Sequence, residues 1–298
     1  MRPVTLELPP GAAGRGAVTF IIDRLMLEDT PHTRLPIALR RIGYNVEVAE
    51  YSRNARRDPE RYPLPQYPAG QCVVMFGSIG FVEQRLQNSQ ATPGAYYSRN
   101  RFACSHYMPR IPLELLGNGE GVYLPFADFV RRRDQLYRLF GASRLFVRPD
   151  SGIKTFTGFC IEQQSAEFEI NSLNQLTSAT DETLVLIAPA QEIHAEYRFF
   201  IVNGQVVTGS RYHVRGERSI DAEVDVRCLE VAKQVAQLPW QIDLAYTCDV
   251  GLFGEEAKVV ELNAFSTSGL YACNALRLFD AVGRVAWHEC YGELTLES

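Results

Sequence analysis

An acid and an amide stand two residues apart in an apolar run near the C-terminal end, Glu261 and Asn263 in "VVELNAFS" (Val259–Ser266). Along a strand, alternate side chains share a face, so the two point the same way. A second acid, Asp249, ends the polar part of "YTCDVGLF", and a short turn around Gly254-Glu255-Glu256 separates the two runs. If that turn is centred on Glu255, Asp249 lies directly opposite Glu261. Two carboxylates facing each other across strands repel unless something intervenes. A divalent cation would resolve the repulsion. Two carboxylates and an amide oxygen are hard donors of the kind Mg2+ takes, with water and phosphate oxygens completing its shell. The alternative is that each acid pairs with an arginine across the sheet.

A second group of charges flanks Asn203-Gly204, the dipeptide of a two-residue type I′ hairpin. A regular hairpin on that turn pairs Val202 with Gln205, Arg198 with Gly209 and Glu196 with Arg211. Glu196, Arg198 and Arg211 then converge on one surface, with room over Gly209; the bland reading is an exposed salt-bridge ladder. In "FVRPDSGIKTFTGF", Arg148 and Lys154 stand on either side of a Ser-Gly turn, a spacing able to clamp a phosphate chain between two cations. Lysine is scarce: Lys154, Lys233 and Lys258 are three of thirty basic residues. The loop is no Walker A, because the GxxxxGK[ST] spacing is missing. "LVLIAPAQE" ends an apolar strand at Ala188-Pro189-Ala190; with one edge unpaired, its backbone would face a flat base, with Gln191 and Glu192 near a ribose. A plain buried strand is the other reading.

The elements that must position these groups are legible in the same pass. "GAVTFIIDR" reads as a strand, "TRLPIALRRIG" as a helix ending in glycine, "YNVEVAEY" as a strand, and "QCVVMFGSIGFVEQRL" as strand, turn and helix. This order predicts a small parallel α/β unit. Ser52–Gly70 reads as a loop, and Ala91–Gly121 as a connector packed on the next domain. "FADFVRRRDQLYRLFG" is a helix closed by glycine; its Arg131–Arg133 triplet reads as a solvated helix face. From Arg144 the texture turns β-rich, interrupted by helices near Ala166–Leu176 and Ala222–Val235 and closed by the amphipathic "LRLFDAVGRVAWHEC".

Composition sets bounds. The 298 residues are 46% hydrophobic and 22% charged, enough for about two domains with real cores. The net charge of −5 argues against broad nucleic-acid binding. No apolar run reaches the roughly 18 residues of a membrane span, and the first residues carry no secretory h-region. The seven cysteines show no CxxC pairing and the five histidines no HExxH. These features predict a cytoplasmic protein with reduced thiols and no zinc site. Cys248 points away from Asp249 and is expected in the core.

Taken in order, the Arg-Pro loop, the apolar hinge strand, Glu196-x-Arg198 before a hairpin, and Asp249 followed by Glu261-x-Asn263 resemble the ATP-grasp superfamily. "RPDSGIKTFTG" is similar to its R2K clade of phage and bacterial ligases. The resemblance spans about Leu145 to Phe265 and implies an α+β fold, two subdomains gripping ATP behind an N-terminal α/β domain. The implied boundaries are 1–110 for the N-terminal domain and 111–298 for the ATP-grasp domain, with a lid-like subdomain at about 142–190 and a C-terminal one at about 191–298. It further implies that Asp249, Glu261 and Asn263 hold Mg2+ on the triphosphate and that Arg148 and Lys154 contact phosphate. Ala188, Pro189 and Ala190 would meet adenine, Glu192 or Glu196 the ribose, and Arg198 and Arg211 the acyl phosphate and the acceptor. Three departures stand out: the phosphate loop lacks the usual glycine run, arginine replaces the usual lysine at 148, and no lysine precedes Lys154 to serve from the N-terminal domain. The expected activity is an ATP- and Mg2+-dependent carboxylate–amine ligase acting on a small-molecule or peptide carboxylate and amine. The rival readings are a nucleic-acid kinase or nucleotidyl ligase, and a degenerate ATP-binding sensor. The Lys-x-Asp/Asn-Gly motif of a nucleotidyl ligase is absent at Lys154.

Overall fold

Val18–Asp23 (β1) is buried at almost every position, as suits a strand covered on both faces. In the computed structural model, which describes residues 6–28, 30–58, 60–152, 156–176, 179–292 and 294, it is the second strand of a parallel sheet. The next elements are α1 (Leu35–Arg41), β2 (Asn45–Ala49), α2 (Arg53–Arg57), β3 (Cys72–Phe76), α3 (Ile79–Leu86) and β4 (Thr92–Gly94). The order across the sheet is β2-β1-β3-β4, all parallel. The short α2 and β4 lie where the sequence showed only loop and connector. The connector proper holds α4 (Cys104–Tyr107) and several 3-10 turns. It packs on the C-terminal part as expected: Cys104, Tyr107, Met108 and Ile111 are buried there, and Gly117 N–H donates to the Val259 carbonyl at 2.9 Å.

Next come β5 (Val122–Pro125), α5 (Phe126–Phe140), β6 (Arg144–Pro149), β7 (Phe159–Glu162), α6 (Ala166–Leu176) and β8 (Leu184–Pro189). Gly141 closes α5 in the left-handed region, φ 61°, the conformation for which glycine has no Cβ penalty. The four strands form an antiparallel sheet, β5-β8-β6-β7. One face, with Leu145, Val147, Val185 and Ile187, packs against Phe129 and Leu136 of α5 and Ile170 of α6. By alternation the other face carries Phe146, Arg148, Leu186 and Ala188.

The third sheet, β11-β10-β9-β12-β13, is built from β9 (Ala195–Val202), β10 (Gln205–Val214), β11 (Glu217–Asp221), β12 (Ala245–Phe253) and β13 (Glu256–Ala264). Helix α7 (Val226–Ala236) covers the face bearing Phe199, Ile201, Cys248 and Val250, so Cys248 is in the core. On the opposite face Phe200 and Val202 join Phe265 and Phe279 of α8 (Ala275–Tyr291). The same helix reaches Phe20 and Phe76 of the parallel sheet, so one apolar cluster ties the first and third sheets together. Among the described residues no helix is long and apolar enough to cross a membrane.

Candidate functional site

The site begins with a row of charge running across three strands. Arg198 on β9 is directly opposite Asp249 on β12, and Asp249 is directly opposite Glu261 on β13. The opposition of the two acids has a different cause from the one the sequence suggested. The turn is a two-residue Gly254-Glu255 turn pairing Phe253 with Glu256, and a bulge at Val260 restores the offset. Asn263 lies on the same face; its Nδ2 donates to Glu261 Oε1 at 2.9 Å and to Asp249 Oδ2 at 3.4 Å.

Each acid has an arginine, so the pairing read first as the bland alternative is what the structure holds. Arg198 donates through Nε and Nη2 to both oxygens of Asp249, at 2.8 and 2.7 Å, with side-chain exposures of 8% and 1%. Arg148 crosses from the second sheet to Glu261 Oε2 at 2.6 Å. Burial works against the charge of both guanidiniums, but the facing carboxylates outweigh it and both are held more basic than usual. Surface ion pairs contribute little, whereas removing one partner of a buried pair leaves a charge stranded. These two pairs are of the second kind.

Around Arg198 lies an aromatic frame that the sequence did not single out. The rings of Tyr212 and Tyr271 stack at 4.9 Å, and the guanidinium lies 5.6 and 5.1 Å from their centroids. Its Nη1 also donates to the Gly269 carbonyl at 3.4 Å. Tyr271 adopts φ 48°, rare for a residue with a side chain, and its carbonyl lies 2.7 Å from His32 Nε2 of the N-terminal part. The one sequence signal was an aromatic in a Ser-Gly-rich stretch just past the acid-bearing strand.

The hairpin at Asn203-Gly204 forms as expected, with both residues at positive φ and Val202 paired to Gln205. Its outer register does not. A bulge at Val207 shifts β10 by one residue, so Arg198 opposes Ser210 and Gly209 opposes Phe199. No room remains over Gly209, because a Cβ there would come within 2.6 Å of the Phe199 ring. Arg211 now opposes Tyr197 on the α7 side and pairs with Asp221 at 3.4 Å, which removes it from the surface of Arg198. Glu196 opposes His213 and accepts from the Tyr212 hydroxyl at 2.9 Å. A bulge flips every side chain beyond it, and nothing in the sequence marked this one.

On the base side, β8 is an interior strand, paired with β5 and β6. The Ala190 N–H expected to face adenine donates instead to the Arg144 carbonyl at 3.1 Å, and Gln191 Nε2 donates to the Gly117 carbonyl. Ala188 is buried and paired with Phe146, Pro189 is half-buried, and Glu192 is exposed. Lys154 lies outside the described residues. Arg148 is buried, and Asp150 just beyond it accepts from the Ser105 N–H of the connector at 2.8 Å.

A magnesium ion fits the donor chemistry. Asp249 and Glu261 are hard oxygen donors forced together by strand register, and the amide of Asn263 already faces both. Holding a cation would require the amide oxygen, reached by turning the Asn263 side chain over.

Residues 135–281 match the family model described as ATP-grasp domain, R2K clade family 2. No curated protein matches the sequence. Among solved structures, D-cycloserine synthetase DcsG aligns with a TM-score of 0.59 at 14% identity, over 90% of this chain and 99% of its own. The RimK domain ATP-grasp protein from Sphaerobacter thermophilus DSM 20745 gives 0.53 at 12% identity, over 93% and 100%. The ATP-grasp ligase PsnB, complexed with a phosphomimetic variant of its minimal precursor, Mg and ADP, gives 0.52 at 12% identity, over 95% and 99%. At these identities the likeness is one of fold. The chain therefore has the ATP-grasp fold, and its residues 135–281 match the R2K clade family 2 model of that domain.

Proposed function

We propose that this protein is an ATP-dependent carboxylate–amine ligase. The carrying observation is that Arg148 and Glu261, on two different sheets, meet at 2.6 Å beside the row Arg198–Asp249–Glu261. A guanidinium resting on a carboxylate is the group a phosphate competes for. Asp249, Glu261 and Asn263 would hold Mg2+, which when bound offsets the charge of the transferred phosphoryl. The γ-phosphoryl passes to a substrate carboxylate oxygen, giving an acyl phosphate and ADP. An amine nitrogen then attacks the carbonyl carbon, the C–O bond to phosphate breaks, and the amine loses a proton. Arg148 would contact phosphate, together with Lys154. Arg198 would orient Asp249 and face the acyl phosphate, fixed by the Tyr212–Tyr271 frame. Such chemistry is mainly positioning and preorganised charge. In this reading residues 1–110 are the N-terminal domain and 111–298 the ATP-grasp domain, and the protein works in the cytoplasm. PsnB, solved with a variant of its minimal precursor, Mg and ADP, and DcsG, a D-cycloserine synthetase, are consistent with the proposed peptide or small-molecule substrates.

One observation favours a second reading. Both acids already hold arginines, as in a nucleotide-binding protein that does not turn over. Incubation with ATP, Mg2+ and pools of amino acids and peptides separates the two. Release of ADP and phosphate that depends on one pool supports ligation. AMP with pyrophosphate indicates adenylyl transfer, and binding without turnover indicates the sensor. Undiminished turnover in Glu261→Ala contradicts the metal assignment.

A further inference from the structure

Tyr271, between β13 and α8, holds φ 48°, a conformation that a residue with a side chain keeps only where its surroundings over-determine it. The peptide unit that follows it is gripped at both ends. Its carbonyl accepts from His32 Nε2 at 2.7 Å, and its N–H, that of Ala272, donates to Ser210 Oγ at 3.1 Å. A carbonyl only accepts, so Nε2 carries the ring proton. Ser210 is on β10, directly opposite Arg198, whereas His32 comes from the N-terminal part, just before α1. Resting on the ligase reading above, we propose that His32 is a positioning residue for Arg198: through the 271–272 peptide it fixes the Tyr271 ring, and with it the guanidinium nitrogen that Asp249 leaves for substrate.

The donor is itself held. The hydroxyls of Thr30 and Thr33 donate to the Leu27 carbonyl at 3.0 and 3.1 Å, and the His32 carbonyl accepts from Leu35 N–H at 2.9 Å. The N-terminal part also grips the same connection at its start, where Gly77 N–H donates to the Ser266 carbonyl at 2.8 Å and Tyr96 N–H to Ser266 Oγ at 3.0 Å. Gly269 lies between the two grips, and its carbonyl accepts from Arg198 Nη1 at 3.4 Å. Nε and Nη2 of Arg198 are both spent on Asp249, so Nη1 is the nitrogen able to turn to a developing oxyanion. Its bond to Gly269 is long and weak, which leaves the ring wall to orient it. Tyr271 and Tyr212 stack with 8° between their planes, and the guanidinium lies against both. Tyr212 is anchored through its hydroxyl on Glu196 at 2.9 Å. Among the described residues the Tyr271 hydroxyl makes no such hydrogen bond, so its ring goes where its backbone is held. Loss of the His32 bond frees the carbonyl end of that peptide, lets the φ of Tyr271 relax to the ordinary range and swings the ring off its stack.

The test has a spectroscopic arm and a kinetic arm, both on the full chain. The Arg198 Nε–H proton, bonded to Asp249 beside two rings, gives a resonance displaced by their ring currents and identified by its loss in Arg198→Met. In His32→Ala, and in His32→Leu, which keeps bulk and removes the donor, it is expected to move toward its ring-free position. In His32→Gln, whose amide N–H stands as many bonds from the backbone as Nε2, it is expected to return. In phosphate release with ATP, Mg2+ and the accepted substrate pool, kcat should fall about tenfold in His32→Ala while KM for ATP stays within about twofold, because a misaimed group costs rate rather than nucleotide binding. His32→Gln should recover most of that loss. A resonance unmoved in His32→Ala and His32→Leu, a His32→Gln as impaired as His32→Ala, or a raised KM for ATP at unchanged kcat overturns the positioning assignment. If the native chain releases no phosphate with any pool, the ligase reading fails by itself, and the resonance still decides whether His32 holds the frame.

Discussion

Replacing Arg198 by methionine is the sharpest perturbation of the charged row. Methionine keeps much of the length and the contact with Tyr212 and Tyr271 but removes two hydrogen bonds to Asp249, at 2.8 and 2.7 Å. Were the pair exposed, the loss would be about 0–1 kcal/mol. It is not: Asp249 has 1% of its side chain exposed and Arg198 has 8%. Stripping one partner from a buried pair costs about 3–5 kcal/mol, because the remaining charge stays desolvated without its counter-ion. The double variant Arg198→Met/Asp249→Asn removes both charges and should recover about 2 kcal/mol or more of that loss. Urea unfolding followed by the fluorescence of Trp240 and Trp287 measures each corner of the cycle. A single-variant loss under about 1 kcal/mol, or a double variant no more stable than the single, would refute the buried pairing and with it the row of charge on which the site is built.

Asp243 gives a pH prediction. Burial pushes its carboxyl up to about 7, and Arg101, 2.9 Å away, only partly opposes this, while Glu289 adds to it. The folded value lies above the unfolded one, so native stability falls as pH rises from about 4 to 7, and Asp243→Asn should flatten that slope in urea unfolding at stepped pH. An unchanged slope counts against the burial of Asp243. Gly283 lies within α8, where alanine would ordinarily stabilise a helix by about 1 kcal/mol. Here its Cβ would fall 2.6–2.7 Å from the ring and hydroxyl of Tyr44, which bonds Asp280, so Gly283→Ala should instead lower thermal stability by about 1–3 kcal/mol.

Much of the fold is legible in the sequence, and the reason is local. Asn203-Gly204 specifies its turn by dihedral preference, Gly141 its helix end, and the apolar run Cys72–Phe76 its burial. The opposition of Asp249 and Glu261 is read correctly on an incorrect turn, because the Val260 bulge compensates for it. No such compensation rescues the other hairpin. The bulge at Val207 turns Arg211 to the α7 face, and β-bulges arise from twist and packing across the sheet rather than from the residues at the bulge itself. The connector is opaque for a related reason. Residues 96–121 hold their shape through contacts with distant segments, such as Tyr96 N–H to Ser266 Oγ and Leu116 beside Val259, and those partners have no local signature.

One exchange underlies the proposed chemistry: Arg148 and Glu261 would give up their contact with each other, and Asp249 part of its contact with Arg198, for the phosphates and metal of a bound nucleotide. Calorimetric titration of ADP with and without Mg2+, into the native chain and into Glu261→Gln, measures that exchange. Mg2+ is expected to tighten ADP binding by about tenfold or more, roughly 1.4 kcal/mol of coupling, and Glu261→Gln to remove most of this gain. ADP affinity indifferent to Mg2+ and untouched by Glu261→Gln would contradict it.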